Sequence, residues 1–536
     1  MMTPTERVQV LIVGAGPVGL ALANDLGQRG VSCLVVEREA APTALPKMNF
    51  VNIRSMELCR RWGLESKVRN AGWPDAHPLD VAYVTSLQGF EITRFPYAAQ
   101  KDKTISYSPE PSQRCPQIWF DPILESGIER FDNIELQRGQ ELLDFDESDN
   151  GVVATIRETS SGKTRRIFAN YLVGADGPGS RVRELAGIER ESWGPSVPQM
   201  AIALRAPAFK AFVHQKRAAF FWIVDGEGVR GLVTPTDGEN LWRFNWNLRP
   251  GESKDTFDAD AAVRILAGGD FEYEILAVLP WQIRFTLAKH YRKGRIFLAG
   301  DAARTLAPTG GLGMNTGLAD AADLGWKLAG RLQGWGGERL LDSYDLERRA
   351  IGRLINDESL RNLGRVAMIP RMPGIGADDA SGARLRDEAS QILQAGEFRL
   401  EFENDGAALG LQYLDSPCIE NGEGAVATDP NQYTPICAVG CRAPHIKGPE
   451  GRSILDLYGD GFCLLRLGPE PPETTLLERA AAHVGLPLTV HRLIDPDIHA
   501  LHGFSLVLVR PDGFVAWHDD AAPRSPGALI DRVRGD

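Results

Sequence analysis

Three glycine-and-carboxylate clusters carry the chemistry written in this chain. The first, VLIVGAGPVGLALA, places Gly14, Gly16 and Gly19, with Pro17 in the same turn, after an apolar run from Val10 to Val13 and before an alanine-leucine helix. Gly14 permits the tight turn, Gly16 lets backbone approach a pyrophosphate, and Gly19 allows helix and strand to pack closely; the helix start adds N–H donors and a positive dipole end. A second run, Val31 to Val36, ends in Glu37, 23 residues after Gly14, where a carboxylate can accept hydrogen bonds from a ribose. In the second cluster, YLVGADGPGSRVR, a strand delivers Asp176 to a turn at Gly177, with Ser180, Arg181 and Arg183 beyond. In the third, GRIFLAGDAARTLAPTGGLGMN, a strand delivers Asp301, and the loop from Pro308 to Asn315 leads into a helix expected at Thr316. Aspartates at strand ends accept from sugar hydroxyls, and a glycine-rich loop before a helix turns N–H groups toward an electron-rich group. Together the three clusters describe one dinucleotide site.

The elements that must position these residues can be read from periodicity. SMELCRRWG, residues 55 to 63, sets Met56, Leu58, Cys59 and Trp62 on an apolar stripe with Gly63 as a terminator, the pattern of an amphipathic helix. From 80 to 110, and again from 191 to 285, the chain changes to short strands and turns, so an antiparallel-sheet domain is inserted within the nucleotide-binding one. In LWRFNWNL the aromatic residues Trp242, Phe244 and Trp246 alternate with Arg243, Asn245 and Asn247, giving a strand with two unlike faces. Those aromatics, with Trp222, either form the core under a sheet or wall a flat aromatic ligand. Helical period returns from Leu318 to Leu332 and in SYDLERRAIGRLINDESLRNL. PRMPGIGADDASGARLR, residues 370 to 386, reads as a loop or linker. The last unit holds three strand-like runs and a hairpin signal at the PDG turn before Trp517. The expected division is 1–79, 111–190 and 286–370 for the nucleotide-binding domain, 80–110 and 191–285 for the inserted sheet, 371–399 for a linker or helix, and 400–536 for the last unit.

Composition bounds the remaining choices. At 536 residues and 43% hydrophobic content the chain suffices for about three domains. A net charge of −12 argues against nucleic acid or an anionic membrane as the main partner. MMTPTERVQV lacks the regions of a signal peptide and no stretch of about 18 apolar residues occurs, so the expected location is cytoplasmic. The seven cysteines are scattered and never spaced CxxC, which reads as reduced packing thiols. No Cys/His cluster of metal-binding spacing occurs, so no metal is expected, and His499 and His502 read as surface or packing residues.

The three clusters in this order resemble the flavoprotein aromatic hydroxylases of the para-hydroxybenzoate hydroxylase type over about residues 8 to 360, and the C-terminal part resembles the thioredoxin-like domain of the phenol and polyketide hydroxylase branch. The resemblance implies an α/β fold: a Rossmann-type FAD-binding domain, an inserted antiparallel-sheet substrate domain and a thioredoxin-like domain. It implies that Gly14, Gly16, Pro17, Gly19, Glu37 and Arg38 hold the AMP half of FAD. By the same resemblance, Asp176 and Gly177 serve FAD and the reduced nicotinamide, and Asp301 binds the ribityl chain. Gly311 and the backbone of Gly313, Met314 and Asn315 face the flavin, Gln117 contacts FAD, and Pro308 lies beside the isoalloxazine. Lys47 stands where many members have an arginine near the phosphates, and a lysine cannot make the bidentate fork. Arg304 follows GDAA where histidine is common, which leaves that position without an assigned role. GCRAPH, residues 440 to 445, has no CxxC pair, so the last domain is expected to pack or to mediate association, a homodimer included.

The implied activity is a monooxygenase that takes hydride from NADPH or NADH, captures O2 as a flavin C4a-hydroperoxide and hydroxylates a small phenolic or aromatic substrate. No residue identifies itself as the phenol base; His77, Tyr107, Arg243 and Pro308 are the catalytic candidates. Only one strand-GxGxxG-helix unit is present, which favours transient nicotinamide docking over a second dinucleotide fold. Two alternatives stay open: Baeyer-Villiger oxidation of a polycyclic ketone on the same fold, and a non-enzymatic FAD-binding protein.

Overall fold

The computed structural model describes residues 6–42, 47–97, 100–207, 209, 213, 216–420, 424–448 and 451–536. The N-terminal residues 1–5, part of the stretch read as lacking a leader, lie outside them. The first apolar run forms the strand Glu6–Val13, in which Val10, Leu11, Ile12 and Val13 are all buried, as a central parallel strand requires. It pairs in parallel with Cys33–Glu37 and with Thr164–Gly174. Ile134–Arg138 extends the parallel sheet on one side and Ile296–Leu298 on the other. The register sets Val13 beside Gly174 and Gly174 beside Leu298, so all three glycine-and-carboxylate clusters leave the sheet side by side at its carboxyl end. Open parallel sheets bind ligands at that edge. Helices Pro17–Gln28, Gln117–Ile128 and Leu312–Gln333 pack together over this sheet, which keeps the strands dry and leaves the strand ends as the open side.

A second sheet has eight strands in the order Arg304–Thr305, Glu274–Ala288, Arg190–Arg205, Leu241–Asn247, Gly228–Pro235, Phe220–Asp225, Val81–Val84 and Glu91–Phe95. It is antiparallel except where Phe220–Asp225 runs parallel to Val81–Val84. That exception arises because the chain leaves after Glu91–Phe95, builds part of the first sheet and only then returns. Helix Ala259–Ala267, capped by the Asp258 side chain, covers one face and buries Ala262, Val263 and Leu266 against it. The other face turns toward Leu340–Ala367 and Ala380–Ala395, where Tyr83, Trp222 and Val224 meet Val366, Ile369, Met372 and Leu393.

Two local expectations are corrected. The segment 370–386 is a loop only as far as Asp379, whose carboxylate accepts from the Ser381 and Gly382 amides and starts the helix Ala380–Ala395. The helix expected at Thr316 begins at Leu312, with Gly311 as its N-cap at φ +63, so Gly313, Met314 and Asn315 belong to its first turn.

The C-terminal unit is a four-stranded sheet with the order Leu488–Leu493, Phe462–Leu467, Leu506–Val509, Val515–Asp519. One parallel pair, one antiparallel neighbour and a terminal hairpin give the thioredoxin-like arrangement. It is fastened to the helices Leu312–Gln333 and Leu340–Ala367 by buried charge. Arg510 reaches Asp323 at 2.9 Å and Glu347 at 2.7 Å, and Lys327 bonds both carboxylates at 2.8 and 2.6 Å. Removing one partner of such a group leaves an uncompensated buried charge, at a cost of about 3–5 kcal/mol.

Candidate active site

The glycine turn separates what the protein needs from what a ligand needs. Gly14 has φ +108, and a Cβ there would stand 2.4 Å from the Ala175 carbonyl oxygen; a Cβ at Gly19 would stand 2.0 Å from the Gly14 oxygen. Neither position admits a side chain. At Gly16, φ is −77, which any residue adopts, and a Cβ would meet nothing within 4 Å. The chain itself imposes no need for glycine there. Pro17 opens the helix, and no side chain caps it, so its first N–H groups remain for an anion. Glu37 is held at its strand end by backbone donors, Ala15 N–H to Oε2 at 2.9 Å and Glu39 N–H to Oε1 at 3.0 Å. Arg38 is exposed and pairs with Glu39 at 3.1 Å.

Two aspartates continue the groove. Asp176 accepts from the Val182 amide at 3.1 Å through Oδ2, while its buried Oδ1 has no hydrogen-bond partner and burial pushes its carboxyl up. Gly177, at φ +79, has open space where a Cβ would stand. Asp301 is accessible to solvent, yet it is enclosed deeply enough that burial raises its carboxyl against the pull of Arg304 and Lys47. Lys47 is exposed, and its charge acts on both Asp301 and Asp121. The Lys47 backbone N–H donates to Gln117 Oε1 at 3.0 Å, and Gln117 Nε2 donates to Asp121 at 2.9 Å. Gln117 therefore uses both ends of its amide, the oxygen on the Lys47 backbone and the nitrogen on Asp121. An ammonium offers a point charge in place of a guanidinium's planar fork.

The third cluster forms the floor. Pro308 is exposed, and Gly310 and Gly311 turn the chain at φ +80 and +63 into the helix Leu312–Gln333. The first-turn amides of Gly313 and Met314 lie where a helix has no internal acceptors for them. The Asn315 side chain is spent on structure: Oδ1 accepts from Asn52 N–H at 2.9 Å and Nδ2 donates to the Gly311 oxygen at 2.6 Å. Arg304 acquires a role here. It is buried and bonds Asp320 Oδ2 at 2.6 Å, and that same oxygen accepts from the Gly300 amide at 3.1 Å. The arginine thus fixes the carboxylate that fixes the Gly-Asp turn.

The second sheet has two unlike faces. Trp242, Phe244 and Trp246 are buried against helix Ala259–Ala267 and the rings of Phe209 and Phe257, so the expectation of a ligand wall at these three is corrected to core. Their strand alternation sends Arg243, Asn245 and Asn247 to the opposite face, the one turned toward the long helix. Arg243 is half-buried, yet burial pushes its guanidinium down to about 10, and its Nε donates to Asn245 Oδ1 at 3.0 Å. Trp222 lies on the same side as Arg243 but is buried beneath Val366 and Met372.

The catalytic candidates do not come together. His77 is buried, holds Pro78 O at 2.8 Å through Nδ1 and borders a small cleft with Phe221 and Trp242, on the covered side of the sheet. The Tyr107 hydroxyl donates to Asp405 at 2.6 Å, and burial together with that carboxylate pushes its phenol up, so it is no base near neutrality. Sequence reasoning passed over Glu401, Asn404 and Asn362, which meet at Gly310; they lie in no motif and reach the loop from 52 to 94 residues away.

A parallel sheet that gathers a glycine turn, two aspartates and uncapped helix starts at one edge has the form of a dinucleotide-binding domain. The comparison with known proteins narrows the class. Residues 7–359 match the FAD binding domain family, and residues 437–535 match the C-terminal domain of aromatic-ring hydroxylases. The chain belongs to the FAD-dependent aromatic-ring hydroxylases and is a monooxygenase of that family. It is 32% identical over 560 residues to the FAD-dependent monooxygenase apdD of Emericella nidulans, covering 97% of this chain and 89% of that protein. It is similar in structure to the rebeccamycin biosynthetic enzyme RebC with reduced flavin, with TM-score 0.93, 37% identity and 99% of each chain covered. It is similar also to aklavinone-11 hydroxylase in ternary complex with FAD and aklavinone, with TM-score 0.83, 28% identity and 100% of each chain covered.

Proposed function

We propose that the protein uses NADH or NADPH and dioxygen to hydroxylate a phenolic aromatic substrate held between the cofactor loop and the Arg243 face of the second sheet. The observation that carries this reading is the convergence of Gly16, Glu37, Asp176, Asp301 and the Leu312–Gln333 helix start on one sheet edge. The flavin-containing and substrate-containing relatives support it. Bound FAD supplies the redox step, accepting electrons from the nicotinamide and activating oxygen.

The chain's own residues do the rest. Gly14, Gly16, Gly19 and the first turn of Pro17–Gln28 take the pyrophosphate, with Lys47 adding a positive charge. Glu37 takes the adenosine ribose, and Asp176 and Asp301 take sugar hydroxyls. The amides of Gly313, Met314 and Asn315 oppose negative charge on the flavin pyrimidine edge, as the positive end of a helix does. Arg243, a cation in an enclosed position, stabilises the ionised form of a phenol bound against its face. The nicotinamide docks from outside and leaves, since the chain holds one glycine-turn unit and FAD occupies it.

The test is NAD(P)H oxidation and oxygen uptake by the purified protein across a panel of phenols, hydroxybenzoates and polycyclic quinones, with product masses. Stimulation by a phenol with a product heavier by one oxygen atom is expected. Turnover of a cyclic ketone alone, with ring expansion, would transfer the assignment to Baeyer-Villiger oxidation, and peroxide release with every compound would refute oxygen insertion.

A further inference from the structure

The short helical turn Phe398–Glu401 and the residues that follow it lie between the two family matches, which end at 359 and resume at 437. Yet this segment grips the cofactor loop. The Gly310 amide stands close enough to the Glu401 carboxyl to favour its charged form, and Asn404 Nδ2 donates to the Gly310 carbonyl at 2.7 Å. A third polar group closes the arrangement: Asn362 Nδ2, buried and without a partner, lies 2.9 Å from where a Cβ on Gly310 would stand. Gly310 holds φ +80, a conformation glycine adopts without strain, and it stands two residues before the helix start whose amides face the flavin.

We propose that Glu401 and Asn404 act as positioning residues for the flavin, forming a two-sided clamp on Gly310 that fixes the start of helix Leu312–Gln333. The inference rests on the FAD seat described above. One side of the clamp, Asn404, is a neutral donor at every pH. The other is titratable. Glu401 is buried and its Oε2 has no partner. Burial pushes its carboxyl up to about 8, outweighing the Gly310 amide and the Arg365 guanidinium of the long helix. Tyr83 faces it from the second sheet and Tyr97 from the loop after that sheet's edge strand, their hydroxyls pushed up by burial first and by the Glu401 carboxylate in addition.

At neutral pH the clamp therefore holds the loop through an uncharged acid. Raising the pH through about 8 places a negative charge beside the helix start that must stabilise reduced flavin. The reduced cofactor then becomes harder to form.

The experiment measures FAD affinity of the apoprotein and the reduction potential of bound FAD from pH 6.5 to about 9.5, in the wild type, Glu401→Gln, Glu401→Ala and Asn404→Ala. Glu401→Gln keeps an acceptor for the Gly310 amide, so its FAD affinity stays near wild type while the wild-type potential falls below that of the variant as pH passes about 8. Asn404→Ala loses a buried hydrogen bond to the loop and Glu401→Ala the polar group beside the Gly310 amide, and each binds FAD about tenfold more weakly. Parallel potentials in wild type and Glu401→Gln across the range, or wild-type affinity in both alanine variants, would overturn the clamp. Wild-type protein that binds no FAD would overturn the cofactor seat and the clamp together, a result distinct from either.

Discussion

Gly16→Ala separates binding from folding in a way neighbouring glycines cannot. Its φ of −77 suits alanine, and the added Cβ meets no protein atom within 4 Å. The apoprotein should keep its stability within about 0.5 kcal/mol, with a small gain from a less flexible unfolded chain. The same change at Gly19 drives a Cβ to 2.0 Å from a backbone oxygen, and at Gly14 to 2.4 Å from another at φ +108. Those two variants should lose roughly 3 kcal/mol or more, since neither contact is with a side chain that can move aside. A methyl group on Gly16 holds the pyrophosphate off the turn and the helix start. Losing one charge-assisted hydrogen bond costs about 1.5–3 kcal/mol, which weakens FAD binding by about ten- to a hundredfold. Thermal melts of the three apoproteins and a fluorescence titration with FAD measure both quantities. A Gly16→Ala apoprotein that melts as low as Gly19→Ala, or one that binds FAD like wild type, would refute the division of labour within the turn.

Asp301→Ala removes a carboxylate that burial raises, so the apoprotein should melt no lower than wild type while FAD binding weakens at least tenfold, a pairing of results that calorimetry and titration read together. Phe244→Ala should cost about 3–5 kcal/mol in denaturant unfolding, because the ring is fully buried against the cover helix, and leave the FAD dissociation constant of folded protein unchanged; a selective effect on substrate KM would restore it to the ligand wall. Arg243→Met should do the reverse, raising KM for a phenol with stability and FAD affinity intact. Asp121, raised by burial from its ordinary value of 3.8 to about 7, favours the folded state when protonated, so the apoprotein loses this stability as pH climbs from about 4 to 7. Asp121→Asn should therefore stabilise the apoprotein at pH 8, by at most about 4 kcal/mol, and give no gain below pH 4, which melting curves across pH will show.

The nucleotide half of the site was legible because its determinants are local. A strand, a glycine turn and a helix occupy consecutive residues, and the parallel register then brings Asp176 and Asp301 beside that turn without further instruction. The strand Leu241–Asn247 shows the limit of such reading. Alternation announces two faces, but which face meets ligand depends on Ala259–Ala267 covering one side and on a helix about a hundred residues later approaching the other. The start of Leu312–Gln333 was displaced by four residues because glycines at 310, 311 and 313 mask helical character, while only Gly310 and Gly311 have positive φ. Glu401 and Asn404 left no trace in the sequence, since a carboxylate and an amide become a clamp only when the fold brings a glycine 91 residues upstream between them. Arg304 looked like a departure from pattern and proved to be a substitute brace, intelligible once Asp320 and the Gly300 amide are seen to share it.

The central claim is that this chain places one atom of dioxygen into an aromatic ring. Turnover of the holoenzyme with NAD(P)H, the most stimulating phenol and isotopically labelled dioxygen, followed by mass spectrometry of the product, measures that transfer directly. The account predicts one labelled oxygen in a new ring hydroxyl for each nicotinamide oxidised. Product carrying oxygen only from water, or label recovered wholly as peroxide, would contradict it.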